Sequence, residues 1–336
     1  MYSVQNINKV NSLSRTWMFK YTKLVFLIIL MLHTSSVFSQ VRLSTTQYYL
    51  NKLTYNAAYA GASDKFDVVA LYRNQYVGQP GGPTKFLAIL STPIKNTNSN
   101  VGLNIDYDKM GPLRQYEICG SYAYRIYTDH DYSISFGLRG GIVRGEVNTT
   151  ELDGYKISDP KILASNGLYT QAIFGAGTYF ESNRMAFGLS VPNLLVDNFD
   201  IYANNTDFRS EFKGNFIGEY LIDINRKYSL KPSTLLRYNS RSPFGYDFNL
   251  YFIYKHFLWI GAGYRSEDII TANVMLVLNE NVMPNLSNEI RFGYSYDINR
   301  SLIRNATGAS HELTLGYYFN RKYARDRVIS VNPRSF

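Results

Sequence analysis

The sequence predicts an all-β chain, a transmembrane antiparallel β-barrel of about 14 strands with short periplasmic turns and longer extracellular loops. Three observations carry this. Apolar and polar residues alternate in segments such as Val101, Leu103, Ile105, Tyr107 against Asn100, Gly102, Asn104, Asp106, Asp108, and alternation of this kind gives a strand one apolar and one polar face. Several segments run ten residues or more, long for a soluble sheet and suited to a tilted membrane strand. Long and short connections take turns along the chain, the loop pattern of a membrane barrel. The composition agrees: Tyr 30 and Phe 20 are enough for two interfacial girdles, and a mean hydropathy of −0.22 excludes a helical membrane protein.

Met1 to Lys23 is polar and basic, and Leu24–Leu32 is a short apolar run. His33 to Ser39 follows, with small or medium residues at Val37 and Ser39. This is the layout of a secretory signal peptide over residues 1–39. With no Cys at the cut, lipidation there is excluded. Residues 40–65 hold no long strand and are expected to form an N-terminal periplasmic segment, ordered around Tyr48–Leu53 and Asn56–Gly61.

The barrel is expected over residues 66–319. Its first hairpin is Phe66–Arg73, a Gly- and Pro-rich loop Asn74–Pro83, and Thr84–Pro93. Later strands are expected to begin near Asn100, Arg114, Tyr132, Leu168, Arg184, Glu211, Lys227, Gly245, Phe257, Asp268, Ser287 and His311. Odd connections include the long ones, Arg73–Thr84, Gly145–Gly167, Pro192–Ser210 and Asn299–Ser310. Even ones include the tight turns Thr128–Asp131, Ser182–Asn183 and Asn225–Arg226. Asn279–Leu286 and the connection near Ser266 break the rule. The lack of a repeated blade motif counts against a propeller, and polar faces persisting on long strands count against a sandwich. The lumen is expected to be polar, with Leu, Ile, Val and Phe outside and Tyr and Phe near the rims. The basic tail 320–336 falls outside the wall.

Removing Lys9, Arg15, Lys20 and Lys23 with the signal peptide lowers the formal net charge from +9 to +5, too mild for a nucleic-acid surface. Cys119 is the single cysteine, so no intrachain disulfide forms; it reads as a small packed residue. His33, His130, His256 and His311 lack metal-ligand spacing, and no metal or cofactor is expected. The nearest fragment to a nucleophile elbow, Gly188–Pro192, lacks its closing Gly. An outer-membrane enzyme is therefore disfavoured. Arg237 and Arg265, with Asp106, Glu117 and Glu219 as partners, read as a lumen network. Gly81 and Gly82 suggest an anion nest, but without a following helix or a Lys and Ser/Thr pair they read as a folded rim loop.

Several segments together resemble a known family. Asn56-Ala57-Ala58-Tyr59-Ala60-Gly61 resembles its NPAYAG segment, and Arg73 to Pro83 its RxQWxGxxGxP segment. Asp108-Lys109-Met110-Gly111-Pro112 resembles DxxGP, and Tyr122-Ala123-Tyr124 and Asp159-Pro160 sit where the family has similar pairs. This is the PorP/SprF family of Bacteroidota outer-membrane proteins, tied to the type IX secretion system and gliding motility. Ala57 stands where the family has Pro, and Tyr76 where it has Trp. The resemblance implies a non-enzymatic outer-membrane protein that assists export or surface attachment of large secreted adhesins. The implied partners are outer-membrane lipid, a secreted cell-surface adhesin or its C-terminal domain, and periplasmic ring components of the secretion machinery. Arg73, Gln75, Tyr76, Gly78, Gly82, Pro83, Asp108, Gly111 and Pro112 are the residues it marks for partner binding or loop bracing. A porin or small-solute channel is the alternative.

Overall fold

The computed structural model of the chain describes residues 43–128, 132–148, 168–194, 212–240, 242–280, 282–300 and 308–319. The signal peptide expected over 1–39, the tail 320–336, His33, His130 and Asp159-Pro160 lie outside the described residues. Every long segment is a strand: β1 (Phe66–Asn74), β2 (Thr84–Pro93), β3 (Ser99–Met110), β4 (Leu113–Tyr127), β5 (Tyr132–Val147), β6 (Leu168–Ser182), β7 (Met185–Val191), β8 (Lys213–Tyr220), β9 (Ile222–Asp223), β10 (Tyr228–Asn239), β11 (Ser242–Tyr254), β12 (Leu258–Arg265), β13 (Ile269–Leu278), β14 (Glu289–Asn299) and β15 (Ser310–Phe319). All pairings are antiparallel between neighbours, except that β8 and β9 share one partner, β10. The two pieces flank Leu221 and make a single stave, so the wall has fourteen.

β1 pairs with β15 from Phe66↔Phe319 to Asn74↔His311, which closes the barrel and leaves no free edge at the seam. Following partners from Asn74 through β2 to β5 reaches Leu168 on β6. Following them the other way, through β15 to β7, reaches Ser182 on the same strand. The stagger, 182 − 168, is fourteen residues, equal to the strand count. Such a shear tilts strands by about 35–45° from the axis.

The alternation sorts side chains as the sequence implies. Val101, Ile105, Phe292, Leu313 and Leu315 are exposed on the outer wall, while Asn100, Asn104, Asp106, Arg291, Ser295, Asp297 and Glu312 are buried inside. Outward aromatics gather near both ends. Tyr107–Tyr116, Tyr246–Tyr264 and Phe212–Tyr238 pair at one end, and Phe66–Phe319, Phe180–Phe187 and Tyr228–Tyr254 at the other. His311 belongs to the first girdle; its Nδ1 lies 2.8 Å from the Tyr294 hydroxyl. His256 sits with Lys255 in the tight turn between β11 and β12, both at positive φ (54° and 47°), where the Phe257 N–H donates to the Tyr254 carbonyl at 2.9 Å. The short odd connection after Arg265 and the longer even one after Leu278 are both present, and neither disturbs the closure.

Residues 43–64, expected as a separate stretch before the barrel, lie inside it. Every residue from Leu43 to Leu53 is buried, and so are Asn56 to Ala58 and Ala60 to Ala62. A four-residue helical turn (Lys52–Tyr55) and a 3-10 turn (Ala57–Tyr59) let the strap fill the lumen. This changes the expected lumen. Its face is largely polar, but Leu71, Leu87, Ile89, Tyr251, Trp259, Met275 and Val277 also point inward, against Tyr49, Leu50, Leu53 and Ala60. Tyr49 stacks on Trp259 at 6.2 Å and meets Tyr251 edge-on at 4.7 Å. Each such ring pair adds about 0.5–1.5 kcal/mol beyond area burial. Where strap and wall touch backbone to backbone, the wall is Gly: a Cβ at Gly137 would collide with Ala57 and Ala58. Among the residues the sequence singled out, Ala57 and Ala58 thus lie directly against the wall. Asn56 caps the 3-10 turn, its Oδ1 accepting from the Ala58 N–H at 3.0 Å, and its Nδ2 donates to the Thr178 carbonyl at 2.9 Å.

Candidate functional site at the loop-end rim

The marked residues fall at one end of the barrel, where the longer connections lie. Arg73, the last residue but one of β1, points inward and is fully buried. Its Nη2 donates to Asp297 at 2.6 Å, and its Nη1 to Glu312 at 3.0 Å and Thr46 Oγ1 at 2.8 Å. A guanidinium suits this position because its planar fork meets two carboxylates at once. Glu312 also accepts the backbone N–H groups of Thr46 (2.8 Å) and Gln47 (2.7 Å). Arg265, the last residue of β12, bonds Asp247 and donates to the Thr45 carbonyl at 3.2 Å. Arg237 reaches the same Asp247 at 2.8 Å.

The lumen network therefore exists, with other partners than the sequence suggested. Asp106 pairs with Lys85 (2.5 Å), Glu117 with Arg139 (2.7 Å), and Glu219 with Lys52 and Lys231. Its upper tier is a clamp on the first residues of the strap. Sequence reasoning missed Thr46, Asp247, Asp297 and Glu312. The signal for three of them was there, since each is an acid on the polar face of a strand whose other face is apolar.

The rim loop folds back on its own backbone. The Gln75 N–H donates to the Pro83 carbonyl at 2.8 Å, and the Gly82 N–H to the Gln79 carbonyl at 3.1 Å. With its amide oxygen facing Arg73, Gln75 accepts from Nε at 3.1 Å and Nη2 at 2.9 Å. Tyr76 takes a positive φ of 54°, and Gly78 of 95°, so the chain reverses twice within the loop. Burial, with the Glu267 carboxylate next in weight, pushes the Tyr76 hydroxyl above its ordinary pKa. The loop's neighbours hold it on both sides. Val77 N–H donates to the Ala309 carbonyl at 3.0 Å, and Gly111 N–H to the Gly81 carbonyl at 3.1 Å. The two marked segments, Arg73–Pro83 and Asp108–Pro112, thus touch. Lys85 strengthens the join by reaching Asp108 at 3.0 Å, and Pro112 accepts from the Asn148 N–H at 2.8 Å. Gly81 and Gly82 are committed to this fold and form no open anion cradle. Among the described residues no three His, Cys, Asp or Glu are grouped to hold a metal.

A family model described as type IX secretion system membrane protein PorP/SprF matches residues 37–317. The chain belongs to the PorP/SprF family. The matched span takes in the strap, the rim loop and all but the last two residues of β15, so the plugged barrel lies within what this PorP/SprF chain shares with its family. Solved outer-membrane barrels resemble it in shape. The Acinetobacter baumannii outer membrane protein Omp33 is 8% identical, with a TM-score of 0.41 and coverage of 76% of this chain and 100% of that one. A Pseudomonas aeruginosa FadL homologue is 10% identical, with a TM-score of 0.42 and coverage of 80% and 93%. The monoaromatic hydrocarbon channel CymD is 9% identical, with a TM-score of 0.44 and coverage of 84% and 94%. At this level of likeness nothing passes from them to the PorP/SprF chain. No curated protein matches the sequence.

Proposed function

We infer that the chain is a non-enzymatic, integral outer-membrane component of the type IX secretion system that assists export or surface attachment of large adhesin-type proteins, in secretion or gliding motility. It reaches the membrane by way of a cleaved signal peptide over residues 1–39. Its partners are outer-membrane lipid around the girdles, a secreted adhesin or its C-terminal domain at the loop end, and periplasmic ring components at the turn end. The observation that carries this reading over a channel is the filled lumen. Leu43 to Leu53 are buried without a break, and so are Asn56 to Ala58 and Ala60 to Ala62, so the strap occupies the lumen along its length. A protein that offers surfaces is supported better than one that offers a pore.

We assign bracing to Arg73, Gln75, Tyr76, Gly78, Gly82, Pro83, Asp108, Gly111 and Pro112: Arg73 holds the strap, the backbone or side-chain polar groups of the others bond within the two connections or to Lys85, Asn148 and Ser310, and Gly78 supplies a positive φ to the reversal. The exposed Val77, Gln79 and Pro80 are the part of the loop left for a partner. The test is deletion of the gene with inspection of surface and secreted proteins. Loss of one or more large exported proteins, restored by the wild-type chain, is the expected result. An unchanged surface proteome would sink the reading.

A further inference from the structure

The strap has a direction. Its first described residues are held at the loop end: Thr46 and Gln47 by Glu312, the third residue of β15, and Thr45 by Arg265, the last residue of β12. Its last residues are held at the turn end. The Gly61 N–H donates to Ser91 Oγ at 2.7 Å, Ser63 Oγ donates to Asp67 at 2.5 Å, and Asp64 pairs with Arg125 at 3.1 Å. Ser91 is near the foot of β2, Asp67 is the second residue of β1, and Arg125 is near the foot of β4. In between, Tyr48 meets Ser233 at 2.8 Å near the middle of β10, and Thr54 Oγ1 accepts from Asn104 Nδ2 at 2.9 Å near the middle of β3. From Thr46 to Asp64 the strap therefore crosses the whole lumen, and β1 then runs back up beside it.

We propose that the strap enters the barrel from its outer mouth, so that the processed N-terminus is presented at the cell surface beside the rim loop. The long loops sit at the end where Thr45 and Thr46 are clamped, and in membrane barrels that end faces outward. Between Gln40 and Leu43 the chain reaches at most about 11 Å, since an extended residue spans no more than about 3.6 Å. The start of the processed chain is thus tied to the outer end. Phe319, the last residue of β15, lies at the other end beside Phe66. The first and last described residues of the folded unit, Leu43 and Phe319, therefore lie toward opposite ends of the barrel.

The proposal rests on the outer-membrane placement inferred above, and its readouts need no cargo. An epitope is inserted between Gln40 and Val41 of the full chain. Two reference variants in a Cys119→Ala background mark the ends for a membrane-impermeant maleimide: Gln79→Cys in the rim loop and Asn183→Cys in the β6–β7 turn, both exposed positions. On intact cells the expected result is antibody binding to the epitope and labelling of Gln79→Cys, with Asn183→Cys labelled only after permeabilisation. An epitope reached only after permeabilisation, alongside a surface-labelled Gln79→Cys, overturns the threading while leaving the secretion role standing. An epitope present on denaturing blots but unreachable in either state also overturns it. Labelling of Asn183→Cys instead of Gln79→Cys on intact cells reverses the barrel and overturns it too. If neither cysteine labels on intact cells, the outer-membrane placement fails and the proposal goes with it.

Discussion

Glu312 holds the strap by two of its backbone donors at once. It is fully buried, faces Arg73, and accepts two successive backbone N–H groups. Replacing it with Ala leaves a buried guanidinium short of one partner and two donors without an acceptor. The expected cost is about 3–5 kcal/mol, the usual penalty for breaking a buried pair from one side. A lower melting temperature in detergent, and freer protease cutting between Thr45 and Leu53, would show it. A melting curve unchanged from wild type would refute the clamp. Gly137→Val tests the contact of Ala57 and Ala58 with the wall. Its added carbons have only backbone to displace, so the loss should exceed the roughly 1–3 kcal/mol typical of overpacking. The expected readout is a barrel that no longer resists unfolding in cold detergent, whereas Gly140→Val, on the outer wall with open space around it, should be neutral.

At the scale of elements, the strands were legible and the strap was not. Each strand begins within three residues of where alternation and turn chemistry place it; the largest shift is Gly245 against Ser242. Period-2 patterning is a strong signal when one face meets lipid and the other does not. The strap has no such period. Its turns are short, and what buries it is the wall, which lies far off in sequence. A clue did exist in β1 and β2. Val68 to Leu71 and Leu87 to Leu90 are apolar on both faces, as in a strand covered on both sides, and a water-filled lumen has no use for that. The rim loop was legible as a turn because Gly and Pro announce one, but its hydrogen bond to Gly111 was not, since it joins two connections. Gly82→Val should break this element first. A Cβ at Gly82 would sit 2.8 Å from the Gln75 carbonyl oxygen, so the loop must unfold locally. We expect new protease cleavage within residues 75–83 with the barrel's melting temperature little changed. Equal loss of both would mean that the loop and the wall are one unit.

At the scale of the molecule, fourteen strands with a shear of fourteen make a cylinder wide enough to need filling, and the chain fills it with its own start. Purified barrel in a planar bilayer should therefore show no large, stable conductance. A steady open pore in the wild-type protein would contradict the packing of Leu43 to Leu53. Charged pairs such as Arg73–Asp297 and Arg139–Glu117, interspersed with the apolar contacts of Tyr49, Leu50 and Leu53, explain why the inner face is neither a pore lining nor a soluble core.

The seam between β1 and β15 also dictates when this protein can become itself. The clamp on Thr46 and Gln47 is Glu312, and its companion Asp297 lies on β14, so both arrive with the last part of the chain. Until β15 docks on β1, the strap lacks its Glu312 clamp at the loop end, and β1, paired with β2 on one side, has its other edge open. Loop closure over so long a stretch is slow. Folding thus ends in one late, joint event in which the wall zips shut and the strap is trapped like a ship in a bottle. An insertase that holds β1 open until β15 arrives would be handling the strap at the same moment.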